Sequence, residues 1–369
     1  MAISRRRVLD MLRKEWKQMF RDPRMKPIVF VSPVIQVLLF GYAVNTDVRN
    51  TNTFLIDHDR TAESRLLTSR LTATGYFRIV ATGTSPDQMV HALDAGDAVV
   101  GIEIPAGFAR DLRQGTGAVQ VIVDGTDSNT GVVAQGYATR IIGEFARDFV
   151  SGTPPPGVDA EVRAWFNPEL ESRVYNVPGI IGLLLLMMCL LLTALGVVRE
   201  REIGTLDQLL VTPLTPGELI LGKTLPVAAV GLIDLALITS VAVLWFHIPF
   251  RGSALILLSA SLLFIVAGLS VGLLISSISH TQQEAFMTMF MFLLPSIILS
   301  GFFYPISSMP IGFQWLTLAN PVRHFLEIVR GVFLKDAPWS LLWHQFVTLA
   351  VMAAGGLWFA TVRFRRSIL

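Results

Sequence analysis

Residues 177–198 read VPGIIGLLLLMMCLLLTALGVV, twenty-two positions without a charged side chain. A helix needs about 20 such residues to cross a bilayer. Five further apolar runs cover 27–44, 223–247, 253–279, 285–304 and 341–362. The run AFMTMFMFLLPSIILSGFFY (285–304) is also uncharged, whereas 27–44 is short and interrupted by Pro33 and Gln36. The expected fold class is an α-helical polytopic membrane protein with six transmembrane helices. Composition agrees: 16% of residues are charged, against about 25% in soluble domains. A net charge of +2 gives no argument for nucleic acid, and the single cysteine, Cys189, excludes an internal disulfide.

Between the first two runs lies a stretch of soluble character, 45–176. TFLID, FRIVAT, AVVGIEI and VQVIVDG read as strands, alternating with helices near 61–73, 86–94, 106–113 and 128–150. That alternation predicts an inserted α/β domain, and SGTPPPG (151–157) reads as a linker. The last helix carries Val133, Tyr137, Ile141 and Phe145 at helical spacing, an apolar stripe suited to packing or to a partner.

Lysine and arginine set orientation. Residues 1–26 hold nine of them and the tail 363–369 (RFRRSIL) three more, so both ends are expected in the cytoplasm. The 199–223 loop then faces the cytoplasm, and the 45–176 domain lies outside. No cleavable signal is expected, because the apolar run follows 26 polar, basic residues. Within 1–26, Val8, Leu12, Trp16 and Met19 alternate with Arg6, Arg13, Lys17 and Arg21 as on an amphipathic helix meeting anionic lipid.

GELILGKT (217–224) matches the phosphate-loop pattern. Such a loop follows a strand and cradles phosphate with backbone amides freed by small residues. Here the preceding VTPLTP carries two prolines, the intervening residues are Glu218, Leu219, Ile220 and Leu221, and a membrane run follows. The expectation is a capped helix start at Thr215–Glu218, with Lys223 snorkelling at the lip of the span. The six histidines are scattered, without metal-ligand spacing, so no metal site is expected.

VVREREIGTLDQLLVTPLTPGELILGKTLP (197–226) resembles the intracellular loop of type-2 permease subunits of ATP-binding-cassette exporters, with Asp207 where that family more often has glutamate. LSGFFYPISSMP (299–310) and NPVRHFLEIVRGVFLKD (320–336) resemble its fifth span with outer turn and its outer re-entrant segment, here 305–335. IDHDRTAESRLL and VIVDGTDSNTGVVAQGY resemble the bacterial subgroup with a large extracytoplasmic domain, often associated with efflux of drugs or other amphiphiles. The resemblance implies an inner-membrane permease, not an enzyme. It also implies a separate cytoplasmic ATPase that carries the ATP and Mg, with no cofactor on this chain. A second permease copy or related chain, and a periplasmic adaptor, follow as partners.

A permease without its own ATPase receives force through a docking element. Ile203, Leu206 and Leu210 share one helical face, Glu200, Arg201 and Glu202 form a charged end, and Gly204, Thr205 and Leu209 complete the coupling set. Met187, Met188, Met287, Phe290, Met291, Leu294, Ser296 and Ser300 are the candidate substrate pathway, methionine suiting adaptable surfaces. The two serines follow Pro295 and are placed to bond across helices. Asp234 is an intramembrane acid that needs a partner or water. Arg323, Glu327 and Arg330 lie along one helical face as an outer gate. Two other readings stay open: a membrane-anchored binding or assembly protein worked by its outer domain, and an ion-coupled transporter using Asp234.

Overall fold

In a computed structural model the described residues are 4–21, 23, 26–43, 50–125, 128–149, 171–205 and 215–368. The chain forms two compact units, Met1–Asn45 with Ala164–Leu369, and Thr46–Arg163. Of the described residues 74% are helical.

The first unit is a helical bundle. It comprises α1 (Arg5–Arg21), a π-helical turn (Pro27–Val31) leading into α2 (Ser32–Ala43), α7 (Ser172–Glu202), α8 (Pro216–Leu244), α9 (Ala254–Ile278), α10 (Gln282–Ile298), α11 (Ile311–Thr317), α12 (Pro321–Lys335) and α13 (Trp339–Ile368). Among the described residues four helices are long and apolar enough to cross a membrane: α7, α8, α9 and α13. The 27–44 run is a shorter apolar helix opened by its π turn, with Pro33 just beyond it. The 285–304 run is helical only as far as Ile298, because Gly301 (φ +79°) and the Pro305 turn follow. The expected tail 363–369 instead continues α13 to Ile368.

Apolar α7 is the central post, touching α2, α8, α9, α10 and α12. Its approach to α9 depends on missing side chains: a Cβ on Gly272 would lie 2.8 Å from Thr193 Cβ. Small residues permit such close packing where no water-driven hydrophobic force operates between helices. Stacked Phe264 of α9 and Phe325 of α12, 4.2 Å apart, join those two helices. Within the 305–335 segment, α11 is largely exposed and α12 is buried. Along α12, Val322, Phe325, Ile328, Val329, Val332 and Phe333 are fully buried, because its apolar stripe faces the bundle.

The second unit is a mixed sheet of order β2-β1-β3-β4, with β1 Thr51–Asp57, β2 Phe77–Gly83, β3 Val100–Ile104 and β4 Gln120–Val123. Helices α3 (Ala62–Ala73) and α4 (Pro86–Asp94) cross between parallel strands, while β4 returns antiparallel after α5 (Phe108–Arg113). The stripe on α6 (Ser128–Phe149) packs in this core: Phe145 and Ile141 are buried and Tyr137 stacks on Tyr76 at 3.9 Å.

IDHDR is the hub of this unit. Asp57 accepts from Ser64 Oγ at 2.7 Å, and Asp59 accepts from the Gly107 and Ala109 amides at 2.8 and 3.0 Å. Burial pulls the Asp59 carboxyl upward, but Thr61 and the amides of Ala109, Gly107 and Phe108 outweigh it and hold it below its ordinary 3.8. A depressed folded value stabilises above the unfolded one and is lost as pH falls through the folded one. Asp59→Ala is therefore expected to cost about 1 kcal/mol at neutral pH, the usual worth of a cap. The deficit relative to wild type should shrink below pH 4, measured by urea unfolding of the full chain with a reporter in this unit.

Candidate functional site

The chemistry of the bundle gathers at the end where α1, the C-terminus of α7, the N-terminus of α8 and the α9–α10 turn meet. Thr215 caps α8, accepting from the Glu218 amide, while Glu218 Oε2 takes the Thr215 amide at 2.8 Å. This is the expected capping box. Glu218, fully buried, also accepts from the Ser4 amide at 2.7 Å and pairs with Arg7 at 3.4 Å. One carboxylate thus ties α1 to α8.

GELILGKT is the first turns of a helix, not a loop. Gly222 is a crossing point: a Cβ there would lie 2.3 Å from Met11 Cγ. Thr224 bonds back to the Ile220 carbonyl at 2.9 Å. Lys223 does not snorkel. It is buried and pairs with Glu200 at 2.5 Å and Glu15 at 3.5 Å, as an ion pair rather than a well-angled hydrogen bond with Glu200. Two carboxylates within reach make this ion pair the cheaper way to satisfy the ammonium.

Lys14 of α1 completes the cluster, contacting Glu15 at 3.0 Å and Glu200 at 3.1 Å. Burial lowers its ammonium, but the two carboxylates outweigh that and hold it above its ordinary value. Glu200 therefore sits between Lys14 and Lys223, and cannot lend its charge to a partner. Arg201 likewise turns inward, donating to the Ser276 and Ser279 carbonyls at 3.2 and 2.7 Å. Glu202 binds Gln282 at the start of α10, with Nε2 at 2.5 Å. The coupling set is thus divided. Glu202, Ile203 and Gly204 face outward, Ile203 being 62% exposed, and Thr205 bonds the Glu200 carbonyl at 3.3 Å. Leu206, Leu209 and Leu210 lie outside the described residues.

The pathway residues also separate. Met287, Phe290, Met291 and Leu294 form an exposed apolar stripe on α10, whereas Met188 is buried against Val29 and Val230 and Met187 is half-buried. Ser296 and Ser300 do not bond across helices. Their hydroxyls satisfy Phe292 and Ile297 carbonyls of the same helix at 2.8 and 2.6 Å. The cross-helix bond comes from Asn320, which donates to the Ser296 carbonyl at 2.6 Å while capping α12. Its signal was an asparagine before a proline at a helix start. The outer-gate charges do not form one row. Arg323 reaches Glu327 at 3.7 Å and Glu327 accepts from Gln345, but Arg330 packs 3.8 Å over the Tyr175 ring and donates to the Gly301 carbonyl. Asp234 is buried on α8, with no hydrogen-bond partner for either oxygen among the described residues. No group of metal-ligating side chains occurs among them either.

A bundle of long apolar helices, with a cluster of buried ion pairs at one end, marks a membrane-embedded protein. The family model for ABC-2 family transporter proteins matches residues 27–362, and the chain belongs to that family as an ABC transporter permease. It is 34% identical over 365 residues to the probable multidrug ABC transporter permease YbhR of Escherichia coli K12, covering 98% of this chain and 99% of that one. To the probable multidrug ABC transporter permease YbhS of the same strain it is 33% identical over 370 residues, covering 98% of each. The inner membrane transport permease YhhJ of that strain is 32% identical over 292 residues, covering 76% and 77%.

Proposed function

We propose that the chain is the permease half of an exporter that moves amphiphilic small molecules outward from the cytoplasm or inner leaflet, powered by ATP hydrolysis on a separate ATPase. The supporting observation is the division of residues 200–204. Glu200 and Arg201 are locked into α1, α8 and α9, while Glu202, Ile203 and Gly204 stand outward at the end of the central helix. A docked partner that pushes Ile203 moves α7, which touches five other helices. An exposed isoleucine beside a charged residue suits a groove that takes apolar anchors and fixes register by charge.

In this reading the basic end faces the cytoplasm, both termini lie there, and the membrane is a bacterial inner membrane. The Thr46–Arg163 unit is extracytoplasmic and open to an adaptor. A second copy or a related permease covers the exposed α10 stripe, and the pathway runs beside it. The nucleotide and its Mg belong to the partner. The multidrug names of YbhR and YbhS favour an amphiphilic cargo.

Ile203→Asp tests it. Affinity purification of the full chain from native membranes in mild detergent should recover an ATPase with wild type. The variant should lose at least tenfold of the hydrolysis recovered, with unchanged melting, since Ile203 is outside the core. Equal recovery, or no ATPase with wild type, would overturn the proposal.

A further inference from the structure

A cavity of about 950 Å³ lies beside the buried ion pairs, between α1 and the lower half of α7. One wall is α1. Asp10, Arg13, Lys14, Lys17, Gln18 and Arg21 line it, which at helical spacing is a single face. The charged side of this amphipathic helix therefore turns into the cavity, while Leu9 and Trp16 are exposed elsewhere on it. The facing wall is apolar: Leu191, Leu192 and Leu195 from α7 and Val227 from α8. Along α7 the lining runs from Leu191 to Ile203, about 18 Å at 1.5 Å per residue.

The charges do not cancel. Six cations, with Arg199 and Lys223 joining those of α1, meet three carboxylates, Asp10, Glu15 and Glu200. Lys14 and Lys223 are committed to Glu15 and Glu200, and Arg13 lies 3.9 Å from Asp10, which leaves Lys17 and Arg21 on the exposed part of the α1 face. A water-filled ion site needs no leucine wall, and a neutral hydrophobe gains nothing from this cationic face. A molecule with one anionic end and an acyl chain matches both walls, and its length matches the depth.

We infer that the cavity is a binding site for one acidic phospholipid, its phosphate on Lys17 and Arg21 and an acyl chain along Leu191, Leu192 and Leu195. Placing that lipid in the cytoplasmic leaflet rests on the proposed function; the binding itself does not. Guanidinium and ammonium groups recognise phosphate by charge-assisted hydrogen bonds. The lipid would also bridge α1 to α7 beside the proposed docking end, so leaflet composition would bear on coupling.

The test is native mass spectrometry of the full chain purified in mild detergent, titrated separately with phosphatidylglycerol, phosphatidylcholine and inorganic phosphate. Wild type should hold one phosphatidylglycerol per chain, at least tenfold tighter than phosphatidylcholine. The double variant Lys17→Glu/Arg21→Glu, at exposed positions, should lose tenfold or more of that affinity with unchanged melting. Leu192→Trp should lose it too, by filling the cavity with every charge kept. Equal binding of phosphatidylcholine, displacement by inorganic phosphate alone, or wild-type binding by both variants would overturn the inference. ATPase recovery from the same preparations separates the two proposals. Lipid binding without a recovered ATPase sinks only the proposed function, and a recovered ATPase without lipid binding sinks only this site.

Discussion

Lys223→Ala is expected to lower stability by about 3–5 kcal/mol, the usual consequence of removing one partner from a buried ion pair. Glu200 would remain buried, and only Lys14, itself partly exposed, would still face it. The rescue is specific. Lys223→Met combined with Glu200→Gln removes both charges while keeping both shapes, so most of the loss should return. Melting of the detergent-solubilised full chain measures both. The same variant separates the two meanings of GELILGKT: a phosphate-loop lysine would be lost with nucleotide binding and without a change in melting, and no Glu200→Gln partner would restore it. Unchanged melting in Lys223→Ala would refute the ion-pair role.

Gly222→Val should detach α1. Its Cβ would come within 2.3 Å of Met11 Cγ and 2.9 Å of Met11 Cβ. The second of these is close to the α1 backbone, so a rotamer change at Met11 cannot relieve it. Overpacking of this kind costs about 1–3 kcal/mol. The loss is larger than that contact alone, because the Glu218 bonds to Ser4 and Arg7 and the Lys14–Glu200 pair hold the same helix. Limited proteolysis should cut between α1 and the first apolar helix at least tenfold faster than in wild type. Met11→Ala should restore only part of the protection in the double variant, since it removes the clashing Cγ and keeps the Cβ. Wild-type protection in Gly222→Val alone would show that α1 is not held at this crossing.

Much was legible in the sequence because it is governed by local chemistry. Uncharged runs of about twenty residues become helices in a bilayer, since no other element satisfies every backbone group within itself. The strand and helix alternation of 51–149, and the capping box at Thr215, follow from turn and cap residues acting over a few positions. The coupling segment was found from residue pattern and resemblance. Which of its side chains point outward was not, because Glu200 and Arg201 answer to partners 186 and 75 positions away, at Lys14 and Ser276.

The sequence by itself determined a polytopic helical membrane protein with an inserted α/β unit, because hydropathy and element periodicity are properties of contiguous residues; the permease reading came from its resemblance to a family. Tertiary structure alone decided what each charge does. Lys223 is buried rather than snorkelling, Ser296 and Ser300 bond to their own helix while Asn320 crosses, and Arg330 rests on Tyr175 instead of joining Arg323 and Glu327. The reason is one of range. A lone charge or hydroxyl in an apolar bundle takes whichever counter-charge, carbonyl or ring the packing brings within about 3–4 Å, and packing is settled by helices far apart in the chain.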